Sequence, residues 1–212
     1  MQRVRLFTAR QRQGLLAALL SGLVAATAAF GATPERRFAV KGVGLATCSQ
    51  FLEAQKEGAA EYQVFGGWID GYFTALNQTQ EGVFDLVSWQ TTGTLARSLR
   101  AHCRQHPDKS FYLAMIDMAR ALGPDRMVDE SELVEALEGE QKVMLYRATL
   151  KRAQKILADL GYPVGAADGG FGPQTARALR DFQEKNGLRT NGLPDQPTLS
   201  VLFHQEKGSD GE

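Results

Sequence analysis

Apolar positions recur at helical spacing along most of this chain. Phe65, Trp68, Ile69, Tyr72, Phe73 and Leu76 follow an i, i+3, i+4, i+7, i+8, i+11 series, one wide apolar face of a helix. Gly66, Gly67 and Gly71 lower its propensity, and the last two share a face that lets a neighbouring helix come close. Upstream, Thr47 is placed to cap a helix through Phe51 and Leu52. Downstream, Leu95, Leu99 and Cys103 repeat every four residues, and Pro107 ends that helix. Ser110 stands as N-cap to a helix bearing Phe111, Met115, Met118 and Leu122, closed by Gly123. Leu150, Ala153, Leu157 and Leu160 form a further amphipathic helix ended by Gly161. Pro173 opens another, from about Gln174 to Asn186, with Ala178, Leu179 and Phe182 inward. The pattern predicts an all-α protein: four helices over residues 38–122 and a smaller helical domain over residues 141–205.

Charge divides the chain further. Basic and acidic residues balance at 24 each, which gives no reason to expect nucleic acid as a partner. The balance is uneven. Arg3, Arg5, Arg10 and Arg12 precede an uncharged run from Gln13 to Pro34, with an apolar core at Leu15–Ala26 and small residues after it. This order predicts a secretory signal peptide at 1–32, cleaved between Ala28 and Ala32. The alternative is an uncleaved helix anchoring the chain in the inner membrane, for which the apolar core is short. Residues 125–140 hold seven acids against Arg126 alone, just after Gly123-Pro124, and predict an acidic linker at 123–140. Within it, Ser131–Leu137 has the spacing of a short acidic helix. Residues 141–205 carry nine bases against five acids, and 206–212 form an acidic tail.

Export decides how the two cysteines are read. In an oxidising compartment Cys48 and Cys103 form one disulfide, worth about 4 kcal/mol for a loop of this length. The competing reading is a nucleophilic Cys103 between His102 and His106. Those two histidines have metal-ligand spacing, but Cys103 occupies the place where a zinc peptidase carries its Glu, and no third ligand is evident. No nucleophile elbow or phosphate loop is present, so no catalytic residue, metal or cofactor is assigned.

Two resemblances add to this. Cys48, Trp68-Ile69-Asp70-Gly71-Tyr72, Asn77, Asp85 and Cys103 recur in an order that loosely resembles HdeA-like and Rap1a-like small periplasmic helical proteins. That resemblance implies a non-enzymatic, disulfide-bonded module that binds proteins. Trp68 and Tyr72 are read as core residues, not contact residues. The second is more specific. Ala153-Gln154, Leu160-Gly161-Tyr162, Asp168-Gly169-Gly170-Phe171-Gly172-Pro173-Gln174-Thr175, Phe182-Gln183-Glu184-Lys185-Asn186-Gly187-Leu188 and Asn191-Gly192 to Thr198 occur in order. They resemble the peptidoglycan-binding domain 1 family, a three-helix fold. Asp168-Gly169 and Thr175 correspond to Asn191-Gly192 and Thr198, an internal repeat whose second loop departs from the family pattern.

The resemblance implies binding to peptidoglycan. Its sugars, amides and carboxylates call for amide-type hydrogen bonders and arginines. Asp168, Phe171, Arg177, Arg180, Gln183 and Asn186 are the candidate ligand-binding residues. Gln154 and Gln183 serve equally well as structural bonds, and Asp168 and Phe171 as fold-defining residues. The expectation is an exported periplasmic protein of two domains, a disulfide-bonded helical module and a three-helix peptidoglycan-binding-like domain. Its partners are peptidoglycan and, through residues 38–122, another envelope protein. The rivals are a wall-remodelling enzyme with an unrecognised site in 38–122 and a chaperone-like or regulatory protein-binding module.

Overall fold

A computed structural model of the chain describes Thr33 and residues 37–209 apart from Gly58. The signal peptide expected at 1–32 lies outside the described residues, as does the end of the tail expected at 206–212. A 3-10 turn at Gly42–Leu45 leads into α1 (Cys48–Glu57), α2 (Ala59–Thr79), α3 (Thr92–Gln105) and α4 (Phe111–Leu122). A second 3-10 turn, Gly123–Asp125, leads to the strands β1 (Leu133–Glu138) and β2 (Gln141–Tyr146). The helices α5 (Arg147–Asp159), α6 (Pro173–Lys185) and α7 (Gln196–Ser209) follow. Among the described residues the fold is therefore mostly helical, with one small two-stranded sheet.

The first four helices close on an aromatic centre. Phe51, Phe65 and Phe111 meet with ring centroids 4.9–5.2 Å apart. Ile69, Phe73, Leu95, Leu99 and Met115 complete the core, and area removed from water on this scale is the main stabilising contribution. The predicted helix faces are the buried ones. Trp68 and Tyr72 are half-buried against the core and stack on each other at 5.4 Å. Cys48 and Cys103 are joined in a disulfide that ties the start of α1 to α3. With its sulfur in that bond, Cys103 offers no thiolate, which removes the nucleophile reading.

Two local expectations are corrected. Gly67 and Gly71 face open space, so they admit no neighbouring helix. The close approach lies at Gly44, where a Cβ would stand 2.5 Å from the Trp68 ring. Ser110 holds the N-cap position of α4 without a side-chain cap bond. Its backbone pairs with Thr47 in an isolated bridge, and Phe111 N donates to Ala46 O at 2.8 Å. Thr47 does cap α1, accepting from Gln50 N while its own N–H donates to Gln50 Oε1 at 2.8 Å.

The short acidic helix expected at Ser131–Leu137 is instead β1. It pairs antiparallel with β2 in a register that sets Ala136 opposite Val143 and Val134 opposite Leu145. The turn is Gly139-Glu140. Val134 and Ala136 alternate inward, and with Val143 and Leu145 they pack on Leu150 and Leu193. Strand pairing is a non-local event, which the helical spacing of Leu133, Val134 and Leu137 could not reveal. The stretch expected as linker, 123–140, is thus structured and anchored at several points. Met127 bridges to Asp85, Asp125 pairs with Arg152 at 3.2 Å, and Glu138 pairs with Arg180.

Residues from Ala39 onward belong to one compact unit. Within it, α3 and α7 meet through Gln196. Its Oε1 accepts from Thr91 N at 3.0 Å and Thr94 Oγ1 at 2.6 Å, and its Nε2 donates to Trp89 O. The Trp89 ring packs on Phe203 at 5.3 Å, with the Arg152 guanidinium 4.5 Å over the other ring. Arg152 also pairs with Glu206. Burial works against its charge, and the Glu206 and Asp125 carboxylates more than offset that, holding its pKa above the ordinary arginine value.

Candidate functional site

Helices α5, α6 and α7 are joined by two loops, 160–172 and 186–195, and each is pinned by a glutamine from the helix before it. Gln154 on α5 is fully buried. Its Oε1 accepts from Gly169 N at 2.8 Å, and its Nε2 donates to Gly170 O at 2.8 Å and Thr175 Oγ1 at 2.9 Å. Gln183 on α6 is also fully buried. Its Oε1 accepts from Asn191 N at 3.0 Å and Gly192 N at 2.8 Å. Its Nε2 donates to Leu193 O and Thr198 Oγ1, each at 2.9 Å. Burying an amide costs free energy unless its bonds are made, and here they are made.

The glycines beside these amides are required by space as well as conformation. Gly169 has φ +80°, and a Cβ there would stand 2.6 Å from the Arg147 carbonyl oxygen. Gly192 has φ +72°, with the Ala176 carbonyl oxygen at 3.1 Å from the same point. Asp168 and Asn191 turn their loops alike. Asp168 Oδ1 accepts from Gly170 N at 2.7 Å, and Asn191 Oδ1 from Leu193 N at 2.9 Å. The second loop then caps α7 through Asp195, which accepts from Thr198 N at 3.0 Å.

The first loop borders a shallow depression of about 320 Å³. Asp168 and Phe171 line it, together with Val164, Ala166, Pro173 and Gln174. The exposed Asp168 carboxylate and Gln174 amide supply hydrogen bonding, while the half-buried Phe171 ring and the Pro173 ring supply an apolar surface. Such a mixture suits a ligand that presents hydroxyls and amides on an apolar frame.

The six candidates separate accordingly. Asp168 and Phe171 come together at the depression. Arg177 is exposed on α6 and lies outside its lining. Arg180 is half-buried and pairs with Glu138 of the hairpin. Gln183 is in the core, its amide spent on the second loop. Asn186 ends α6, donating to Phe182 O at 2.8 Å and accepting from Gln205 Nε2 at 3.0 Å. The last three therefore hold the fold in place. Gln174 was missed as a candidate, although it stands between the loop's Pro173 and Thr175, a place a sequence reader can inspect.

Residues 147–202 match the family described as "putative peptidoglycan binding domain". This peptidoglycan-binding-type domain spans α5, both loops, α6 and the first half of α7. Relatives are similar over comparable lengths. One is "Putative OxPP cycle protein OpcA" of Nostoc punctiforme, 42% identical over 62 residues, 29% of this chain and 13% of that protein. Another is N-acetylmuramoyl-L-alanine amidase CwlM of Mycobacterium tuberculosis, 39% identical over 59 residues, 28% of this chain and 14% of that protein. The chain thus covers only 13–14% of the length of these curated relatives. Among solved structures, SltB3 from Pseudomonas aeruginosa in complex with NAG-anhNAM-pentapeptide is similar at 26% identity. That match covers 49% of this chain and 26% of the other, with a TM-score of 0.28.

Elsewhere, His102 and His106 lie with ring centroids 4.8 Å apart. Among the described residues, no three His, Cys, Asp or Glu side chains are grouped to hold a metal ion. Among the same residues, no helix is long and apolar enough to cross a membrane.

Proposed function

We propose that this protein is an exported, non-catalytic cell-wall-binding protein. Its peptidoglycan-binding-type domain holds the disulfide-bonded helical module at the wall, in the periplasm, where that module meets another envelope component. The observation that carries the reading is the match of residues 147–202 to the peptidoglycan-binding family, over the same residues that build the depression beside Asp168 and Phe171. The excess of bases over acids in residues 141–205 suits an anionic wall polymer.

The test is co-sedimentation of the full chain with purified peptidoglycan sacculi. Wild type is expected in the pellet. Asp168→Ala with Gln174→Ala, checked for native circular dichroism, is expected to remain largely in the supernatant. A wild-type protein that stays in the supernatant refutes wall binding. Soluble muropeptides accumulating during the incubation refute the non-catalytic part.

A further inference from the structure

The two loops of the three-helix region turn alike but leave different groups free. In the second, Asn191 is engaged at both ends of its amide. Its Oδ1 accepts from Leu193 N and Gln183 Nε2, each at 2.9 Å, and its Nδ2 donates to Asp195 Oδ2 at 2.9 Å. Asp195 in turn holds Thr198, and Gly192, Leu193 and Pro194 are buried. In the first loop Asp168 takes the place of Asn191. Its Oδ1 accepts from Gly170 N, and among the described residues its Oδ2 has no hydrogen-bond partner. The turn needs one acceptor oxygen, and Asn191 shows that an amide supplies it as well as a carboxylate does. The charge of Asp168 is therefore surplus to the fold of its loop.

That charge stands at the depression beside Phe171. Among the described residues, Asp168 is the one charged side chain in the lining. Arg147, whose carbonyl faces Gly169, pairs with Glu132. The depression is thus negative, although residues 141–205 around it hold nine bases against five acids. The exposed Gln174 side chain lies over Gly165 and makes no hydrogen bond among the described residues. Its amide offers a peptide group both a donor and an acceptor. Phe171 and Pro173 add apolar surface. A carboxylate, an open amide and an apolar floor match an ammonium, the peptide link beside it and the methylenes between them.

Peptidoglycan carries a cation of this kind. Its amino sugars are N-acetylated and uncharged, and its carboxylates are negative. The positive group is the side-chain amine of the diamino acid in the stem peptide, wherever that amine is not cross-linked. Resting on the wall-binding reading above, we propose that the depression recognises uncross-linked stem peptides through this ammonium, with Asp168 as the specificity-determining residue. Asp168 Oδ2 accepts from the ammonium, Gln174 pairs with the adjoining peptide group, and the methylenes lie on Phe171 and Pro173. Cross-linking converts the amine to an amide and removes the charge, so the domain is directed to stems that have not been joined.

Co-sedimentation of the full chain with two preparations of the same diaminopimelate-containing sacculi tests this, one native and one N-acetylated with acetic anhydride. Acetylation removes the ammonium and makes the polymer more anionic. The basic surface of the domain therefore favours the acetylated form, and a carboxylate site favours the native one. Wild type is expected to bind native sacculi about fivefold more tightly, the size of one charge-assisted bond in an open site. Asp168→Asn keeps the turn acceptor, and is expected to show wild-type circular dichroism and to bind both preparations at the weaker level. Equal affinity of wild type for both preparations would overturn the proposal and leave wall binding standing. Failure to sediment with either would overturn wall binding and the proposal with it. A preference for native sacculi retained in Asp168→Asn would put the cation's partner at another residue and overturn the assignment.

Discussion

The helical module of residues 42–122 and the three-helix region from Arg147 onward hold their shapes by different physics. The first packs rings and aliphatic side chains around Phe51, Phe65 and Phe111 and adds one covalent link. Its interactions are large and largely non-directional. The second buries two whole amides, Gln154 and Gln183, whose bonds run to named atoms of two glycine loops. Directional bonds of this sort contribute little net stability each but are costly to leave unmade. The first scheme tolerates a cleft along α3 and α4. The second fixes the geometry of both loops through directional bonds.

The contrast can be broken from either side. Replacing Cys48 and Cys103 together with alanine should lower stability by about 4 kcal/mol in the chain-entropy account. Urea unfolding would report it, and a loss under about 1 kcal/mol would mean that the aromatic packing suffices alone. Gln183→Leu conserves approximate size but strands the N–H groups of Asn191 and Gly192, and should cost about 3 kcal/mol. A neutral result there would show that water or a shifted loop replaces the amide.

Smaller effects test how the two regions are joined. Gln196→Ala removes the bonds to Thr91, Thr94 and Trp89 and should cost about 1–2 kcal/mol. It should also weaken the coupling between a Trp89 and an Arg152 substitution in a double-mutant cycle. If that coupling is unchanged, the ring contact of Trp89 with Phe203 carries the junction alone. The least change is expected from pH. His102 titrates below its ordinary 6.5 in the folded state. Just below pH 6.5 the unfolded chain therefore binds more protons, and stability falls as pH falls through that window. His102→Gln should flatten this slope, and an unaltered slope would assign it to other groups. Asp117, held low by its hydrogen bond from Lys109, adds a separate loss only at more acidic pH.

Much of the fold was legible because its rules are local. Helical spacing located the buried faces of α2, α3, α4, α5 and α6, and Pro107, Gly161 and Pro173 punctuated them where proline and glycine must. The hairpin was not legible. The residues that bury Val134 and Ala136 are Leu150 and Leu193, which lie far along the chain. At the candidate site, the loop motif was readable in the sequence, and Asp168 and Phe171 from it line the depression. Arg180, Gln183 and Asn186 were not separable from ligand contacts by type, since an amide that binds a sugar and one that pins a loop look the same in sequence.

By itself, the sequence determined the helical class, the pairing of its two cysteines and the family of residues 147–202, because periodicity, cysteine number and motif spacing are one-dimensional properties. Only the tertiary structure decided that Gln183 faces the core, that the acidic stretch forms a strand and that Gln196 clasps Trp89 and Thr94. Each of these depends on which distant groups supply hydrogen bonds and remove water, and that is settled only when the chain is packed.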